Sequence, residues 1–181
     1  MVVVGSRGNG RLSRAVLGSV SAGWCHHAYC PVVVVHGTLE AGAMQRPILL
    51  GVDGSPASEA AIGFAFDEAA RRGVGVRALH AWSDVGANTI FGPDWHEFRD
   101  DGEELLVERL ASWQAQYPDV PVERWIVCDN PAKWLIDEAG EAQLVVVGSH
   151  GRGGFAGMLL GSVSTAVAES CDVSVVVVRQ S

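Results

Sequence analysis

Residues Val145–Ser164 read VVVGSHGRGGFAGMLLGSVS: a short β-branched run, a glycine-rich segment, then the opening of a helix. The same phrase stands at Val2–Ser21 as VVVGSRGNGRLSRAVLGSVS, 143 residues earlier. Residues 1–36 align with 144–179 without a gap, and 16 of the 36 positions are identical, which identifies a duplicated unit. Both copies carry the spacing G-x2-G-x9-G-S, as Gly5, Gly8, Gly18 and Ser19, and again as Gly148, Gly151, Gly161 and Ser162. Glycine lets a backbone turn sharply and approach a ligand closely. The unpaired N–H groups of a helix start, with the helix dipole, favour an anion such as phosphate. A tight strand-to-helix crossover needs glycines for steric reasons alone, so the phosphate reading rests on the repetition of the whole spacing.

Working outward, residues 1–36 read as strand, glycine loop, helix and strand: Val2–Gly5, about Ala15–His27, and Val32–His36. Such apolar, β-branched strands suit a sheet covered on both faces. One strand-helix-strand unit cannot bury its own sheet and needs a host. Residues 37–45 lack apolar periodicity, contain Gly37 and Gly42, and read as a linker.

From residue 46 a complete alternation begins. Pro47–Asp53 is a first strand, and Gly54-Ser55-Pro56 turns into a helix capped by Ser55 or Ser58 that runs to about Arg72. Val76–Trp82 is a second strand, with His80 a core or crevice residue. Residues 83–96 are irregular, a candidate lid over the strand ends. A helix over about Glu97–Gln116 presents Leu105, Leu106, Leu110 and Trp113 at helical spacing. Val122–Cys128, a helix from Pro131 to Ala139, Leu144–Gly148, the second glycine phrase and Val173–Val178 complete the series. Five strands alternating with four helices imply a doubly wound α/β sheet.

With 181 residues, 48% hydrophobic and 19% charged, the chain is globular, and its apolar runs are too short to cross a bilayer. The N-terminus lacks the basic region and cleavage site of a signal peptide, so a cytoplasmic location is expected. The net charge of −8 disfavours a nucleic-acid partner. Cys25, Cys30, Cys128 and Cys171 form no CxxC pair or disulfide framework, so reduced thiols are expected. Cys25-His26-His27 suggests a metal, but Ala168, Glu169 and Ser170 replace it in the other copy, and a solvated helix end is the simpler reading. The one lysine, Lys133, is not part of a Walker motif, and no histidine or carboxylate pair is poised to activate water.

The spacing and the α/β alternation together resemble the universal stress protein family, in its ATP-binding subgroup and among its tandem two-domain members. Residues 46–181 resemble one complete domain, and residues 1–36 the last strand-helix-strand of a preceding one. The resemblance implies a five-stranded parallel, Rossmann-like sheet in the order 3-2-1-4-5, with a ligand at the switch point between the first and fourth strands. It further implies that Gly51, Val52 and Asp53 line the adenosine side, with Asp53 meeting a ribose hydroxyl, a base nitrogen or a metal. The backbone of Ala81 would read adenine. Gly148 and Gly151 would pass close to ribose and phosphates with Arg152 as counter-charge, and Gly161, Ser162, Val163 and Ser164 would donate to the phosphates. Mg²⁺ would be held mainly by the phosphates rather than by protein ligands. His150, replaced by Arg7 in the first copy, reads as a loop residue.

The expected function is an ATP-binding, nucleotide-dependent regulator in stress response. Two alternatives are a weak ATP hydrolase or phosphotransferase on the same scaffold, and a dimerisation module with a vestigial nucleotide site. The first copy lacks an Asp53 and an adenine wall, so it is not expected to hold a complete site. Its last strand is expected to pair with Val173–Val178, within the chain or across a homo-oligomer. The truncated repeat leaves open that the chain is a fragment of a longer tandem protein.

Overall fold

The computed structural model describes residues 1–6, 17–37, 42–81, 95–151 and 160–179, with backbone alone over 95–98. Its strands are β1 (Val2–Gly5), β2 (Val32–Val35), β3 (Ile48–Gly51), β4 (Val76–Ala81), β5 (Val122–Val127), β6 (Leu144–Gly148) and β7 (Val175–Val178). Its helices are α1 (Ser19–His27), α2 (Pro56–Arg72), α3 (Trp95–Gln116), α4 (Pro131–Glu138) and α5 (Ser162–Ser170). Arg152 and residues 83–94, most of the proposed lid, lie outside the described residues.

All seven strands form one sheet in the order β1-β2-β7-β6-β3-β4-β5. The strands from β3 onward reproduce the expected 3-2-1-4-5 arrangement, every pairing among them parallel. The duplicated unit does not stand apart from that sheet. It extends it, because β2 pairs antiparallel with β7 in the same chain, Val33 opposite Val176. β1 then lies parallel to β2 and forms the sheet edge.

Successive strand residues point to opposite faces, and the two cores follow that alternation. On one face Leu49, Leu79, Val145, Val147, Val175 and Val177 pack with Leu135 of α4, Val167 of α5 and Cys25 of α1. On the other, Ile48, Leu50, Val52, Val76, Val146 and Val176 pack against Ile62, Ala65 and Phe66 of α2 and Leu106 and Leu110 of α3. Each fully buried Leu, Ile or Phe contributes about 1.5–3 kcal/mol relative to exposure, so both layers hold the sheet.

Two side chains secure the duplicated unit and the linker. Arg179, just after β7, donates to the carbonyl oxygens of His26 and Ala28 at 2.6 and 3.0 Å, neutralising the C-terminal end of α1. Gln143 is buried; its amide donates to the Met44 and Arg46 carbonyls and its oxygen accepts from Arg72 at 2.9 Å. The linker therefore ends in a single 3₁₀ turn, Ala43–Gln45, rather than running free. α1 begins at Ser19, four residues later than its apolar pattern suggests, because Gly18 holds an extended backbone and serves as its N-cap.

Candidate functional site

β3 ends at Gly51, and the chain must turn at once to bring α2 back over the sheet. Gly54 takes a left-handed φ of +78°, which a side chain would strain. Asp53 Oδ1 accepts the Ser55 N–H at 2.9 Å, and the Asp53 N–H donates to Ser58 Oγ at 3.2 Å. Ser55 rather than Ser58 is the N-cap, its hydroxyl oxygen accepting the Ser58 N–H at 3.2 Å, with Pro56 at the first helical position. Asp53 is therefore a turn residue.

β6, the neighbour of β3 in the sheet, ends in the glycine phrase. The Ser149 N–H donates to Val178 at 2.7 Å, and the Gly161 N–H returns to the Ser149 carbonyl at 2.7 Å. Gly161 is then the N-cap of α5 and offers no side-chain cap. The opening N–H groups of a helix have no acceptor within it, so those of Ser162, Val163 and Ser164 are directed to the space beyond the strand ends.

That space is a cavity of about 610 Å³ at the carboxyl ends of the strands, within the range of about 300–1,000 Å³ usual for small-molecule sites. The β3 end contributes Gly51, Val52 and Asp53, and β4 contributes Leu79 and Ala81. Gly148 and His150 come from the end of β6, and Gly161, Ser162, Val163 and Ser164 from the start of α5. Nine of the eleven residues singled out from the sequence thus line one cavity. Gly151 stands beside it, and Arg152 falls outside the described residues.

Three details alter the expected roles. A Cβ on Gly148 would come within 2.8–2.9 Å of the Ala57 and Ser58 backbone, so this glycine serves the contact between β6 and α2. A Cβ on Gly151 would stand 2.6 Å from Asp53 Oδ2, so the loop packs on that carboxylate. The Ser164 hydroxyl donates to the Gly148 carbonyl at 2.6 Å, leaving its backbone N–H as the group available to an anion.

The cavity also contains residues the sequence left unassigned. Asp129, Asn130, Pro131, Ala132 and Leu135 form a wall from the β5 end and α4. Asn130 adopts φ 52°, and its side chain accepts from the Lys133 N–H at 3.3 Å, so it caps α4 and fixes that wall. The asparagine-proline pair was the available signal. His150 lines the cavity, its Nδ1 2.9 Å from Ser149 Oγ. His80 is buried and its Nδ1 donates to the Val52 carbonyl at 2.8 Å, which holds the ends of β3 and β4 together.

A family model described as the universal stress protein family matches residues 1–36 and 44–179. The chain belongs to the universal stress protein family. A universal stress protein of Mycolicibacterium smegmatis is 59% identical over 180 residues, covering 99% of this chain and 61% of its own length. A universal stress protein of Mycobacterium tuberculosis (strain H37Rv) is 54% identical over 183 residues, covering 100% of this chain and 62% of its own. The chain thus spans less than two thirds of the length of these curated relatives. Among solved universal stress proteins, one from Archaeoglobus fulgidus DSM 4304 superposes with a TM-score of 0.68 at 24% identity, over 99% of this chain and 62% of that one. Another from Archaeoglobus fulgidus, solved in complex with dAMP, gives 0.57 at 24% identity, over 75% of this chain and 98% of that one. At such identities the likeness is one of fold. Among the described residues of this universal stress protein, no helix is long and apolar enough to cross a membrane.

Proposed function

We propose that this universal stress protein binds ATP in the cavity between β3, β4, β6 and α5 and acts as a nucleotide-dependent regulator in stress response. The observation that carries the reading is the convergence on one cavity of Asp53, the Ala81 backbone and the uncapped start of α5. Gly51, Val52, Asp53 and Ala81 take the nucleoside. Gly148, Gly151, Arg152, Gly161, Ser162, Val163 and Ser164 form the phosphate arm. A universal stress protein of the same fold was solved with dAMP, which supports an adenine nucleotide as the ligand.

The donor set suits the ligand. Asp53 accepts hydrogen bonds from hydroxyl or amino groups, and a helix start accepts charge without needing a Walker lysine. Mg²⁺ would be held chiefly by the phosphates, since it retains several waters and needs few protein ligands. No hydrolytic centre is assigned, and turnover is at most slow. Regulation works by mass action, since a ligand that binds only the folded form stabilises it.

In this reading residues 46–181 are a complete domain, residues 1–36 are the last strand-helix-strand of a second, and 37–45 link them. The protein works in the cytoplasm. It associates with a second copy through its last strands by exchange of the β1-α1-β2 unit, which in the single chain lies on its own β7. Light scattering across protein concentrations tests the association, and a protomer mass throughout rejects it. For the nucleotide, the purified protein is denatured and the supernatant analysed for ATP, ADP or AMP, and ATP is titrated calorimetrically. Absence of bound nucleotide, with no heat and no thermal shift on adding ATP, overturns the reading.

A further inference from the structure

Ser55 is buried at the junction of the two arms of the cavity, and each of its polar groups has a partner. Its N–H donates to Asp53 Oδ1 at 2.9 Å. Its carbonyl accepts the Glu59 N–H at 3.0 Å as the first turn of α2 closes. Its hydroxyl oxygen accepts the Ser58 N–H at 3.2 Å, and its hydroxyl hydrogen goes to the His150 carbonyl at 3.0 Å. A hydroxyl has one hydrogen to give, and a carbonyl can only accept, so the direction of this last bond is settled. Helix capping needs the oxygen alone. The donated bond to His150 is a second task that capping does not require.

His150 precedes Gly151, the residue whose backbone packs against Asp53 Oδ2. Ser55 therefore holds Asp53 through its N–H and the glycine loop through its Oγ–H. One residue fixes the separation between the carboxylate on the nucleoside arm and the loop on the phosphate arm.

We infer that Ser55 is the positioning residue that sets the distance between these two arms, and so discriminates in favour of ligands that span both. The inference rests on the proposed nucleotide site. A nucleoside triphosphate reaches from Asp53 to the α5 start and depends on that separation. A nucleoside without phosphates occupies one arm and does not. Ser55 makes no contact of its own with the ligand, because its hydrogen is already committed.

The test compares ATP with adenosine on the full chain. Ser55→Gly removes the hydroxyl, while glycine is a tolerated N-cap and leaves the start of α2 in place. Ser55→Thr keeps both donor and acceptor. Calorimetry should show ATP affinity reduced on the order of tenfold in Ser55→Gly, adenosine affinity changed less than about twofold, and both restored in Ser55→Thr. If the wild type binds ATP and Ser55→Gly binds it equally well, the inference is wrong and the nucleotide site stands. Equal losses for ATP and adenosine also overturn it, since Ser55 then shapes the whole pocket rather than the spacing of its arms. A wild type that binds neither ligand removes the site and the inference together.

Discussion

The two copies of the glycine phrase make the same internal bonds in different surroundings. Ser21 donates to Gly5 at 2.6 Å as Ser164 donates to Gly148 at 2.6 Å. Ser6 and Ser149 donate to the last residues of β2 and β7, and Gly18 and Gly161 return to Ser6 and Ser149. Burial separates them. Val3 is 61% exposed and Val35 38%, whereas their counterparts Val146 and Val178 are 0% and 4% exposed beneath α2. Trp24 on α1 is 45% exposed, while Val167 on α5 is fully buried in the layer it shares with α4. The phrase thus specifies its own turn and helix start wherever it occurs. The cavity is lined from the ends of β3 and β4 and from α4, and among the described residues only the second copy has them beside it.

That contrast breaks most sharply at the end of the paired strands. Gly148→Ala forces a methyl into the backbone of Ala57 and Ser58 and should cost about 2–3 kcal/mol of stability. Gly5→Ala, at an exposed position, should cost less than about 0.5 kcal/mol. Urea denaturation measures both, and similar losses would mean that α2 does not make the difference.

Next in size is Gly151→Val, whose side chain collides with the Asp53 carboxylate. ATP affinity should fall on the order of tenfold or more, or about 1.4 kcal/mol for each factor of ten, and Gly8→Val at the matching place in the first copy should leave it unchanged. Isothermal titration of the two variants would show whether one copy or both bind.

Ser21→Ala and Ser164→Ala should behave alike in the absence of nucleotide, each costing about 1 kcal/mol through an unsatisfied carbonyl. A large difference in thermal denaturation would show that the matching hydrogen bonds are not matched in strength.

The effect that is smallest at neutral pH concerns position 171, where the first copy has Ala28. Burial, with Asp172 adding to it, pushes the Cys171 thiol from its ordinary 9.0 up to about 12. The folded state then keeps a proton that the unfolded chain releases. Its contribution is complete below pH 9 and is lost as pH rises toward 12, at no more than about 1.4 kcal/mol per pH unit. Cys171→Ala should lose stability less steeply across that interval, as followed by chemical denaturation at several pH values.

Much of this arrangement was legible because each local signal agreed with its neighbours. Unbroken valine runs marked β1, β2, β6 and β7, and Ser55-Pro56 marked the start of α2. The family's strand order then placed Asp53 beside the second glycine phrase. What local patterns did not carry was contact between distant segments. The wall from Asp129 to Leu135 joins the cavity only because β5 lies next to β4 and α4 folds back over the strand ends. Gly148 reads from the sequence as a ligand contact alone because the approach of α2 to β6 has no trace in either segment by itself. His150 was set aside as loop because Arg7 replaces it, yet copies in unequal settings need not keep the same side chains.

The antiparallel seam between β2 and β7 also governs how far the chain must reach. Because β2 runs opposite to β7, it finishes at the end of the sheet where β3 begins. Three strand spacings, roughly 14 Å, separate β2 from β3, and twelve residues lie between Val35 and Ile48. Twelve residues can span up to about 40 Å when fully extended, more than the separation requires. The ends of this tether remain close enough that β2 meets its own β7 at an effective concentration on the order of millimolar. Exchange of this unit between copies therefore competes with a ready intramolecular partner, and should grow with protein concentration or with shortening of the tether.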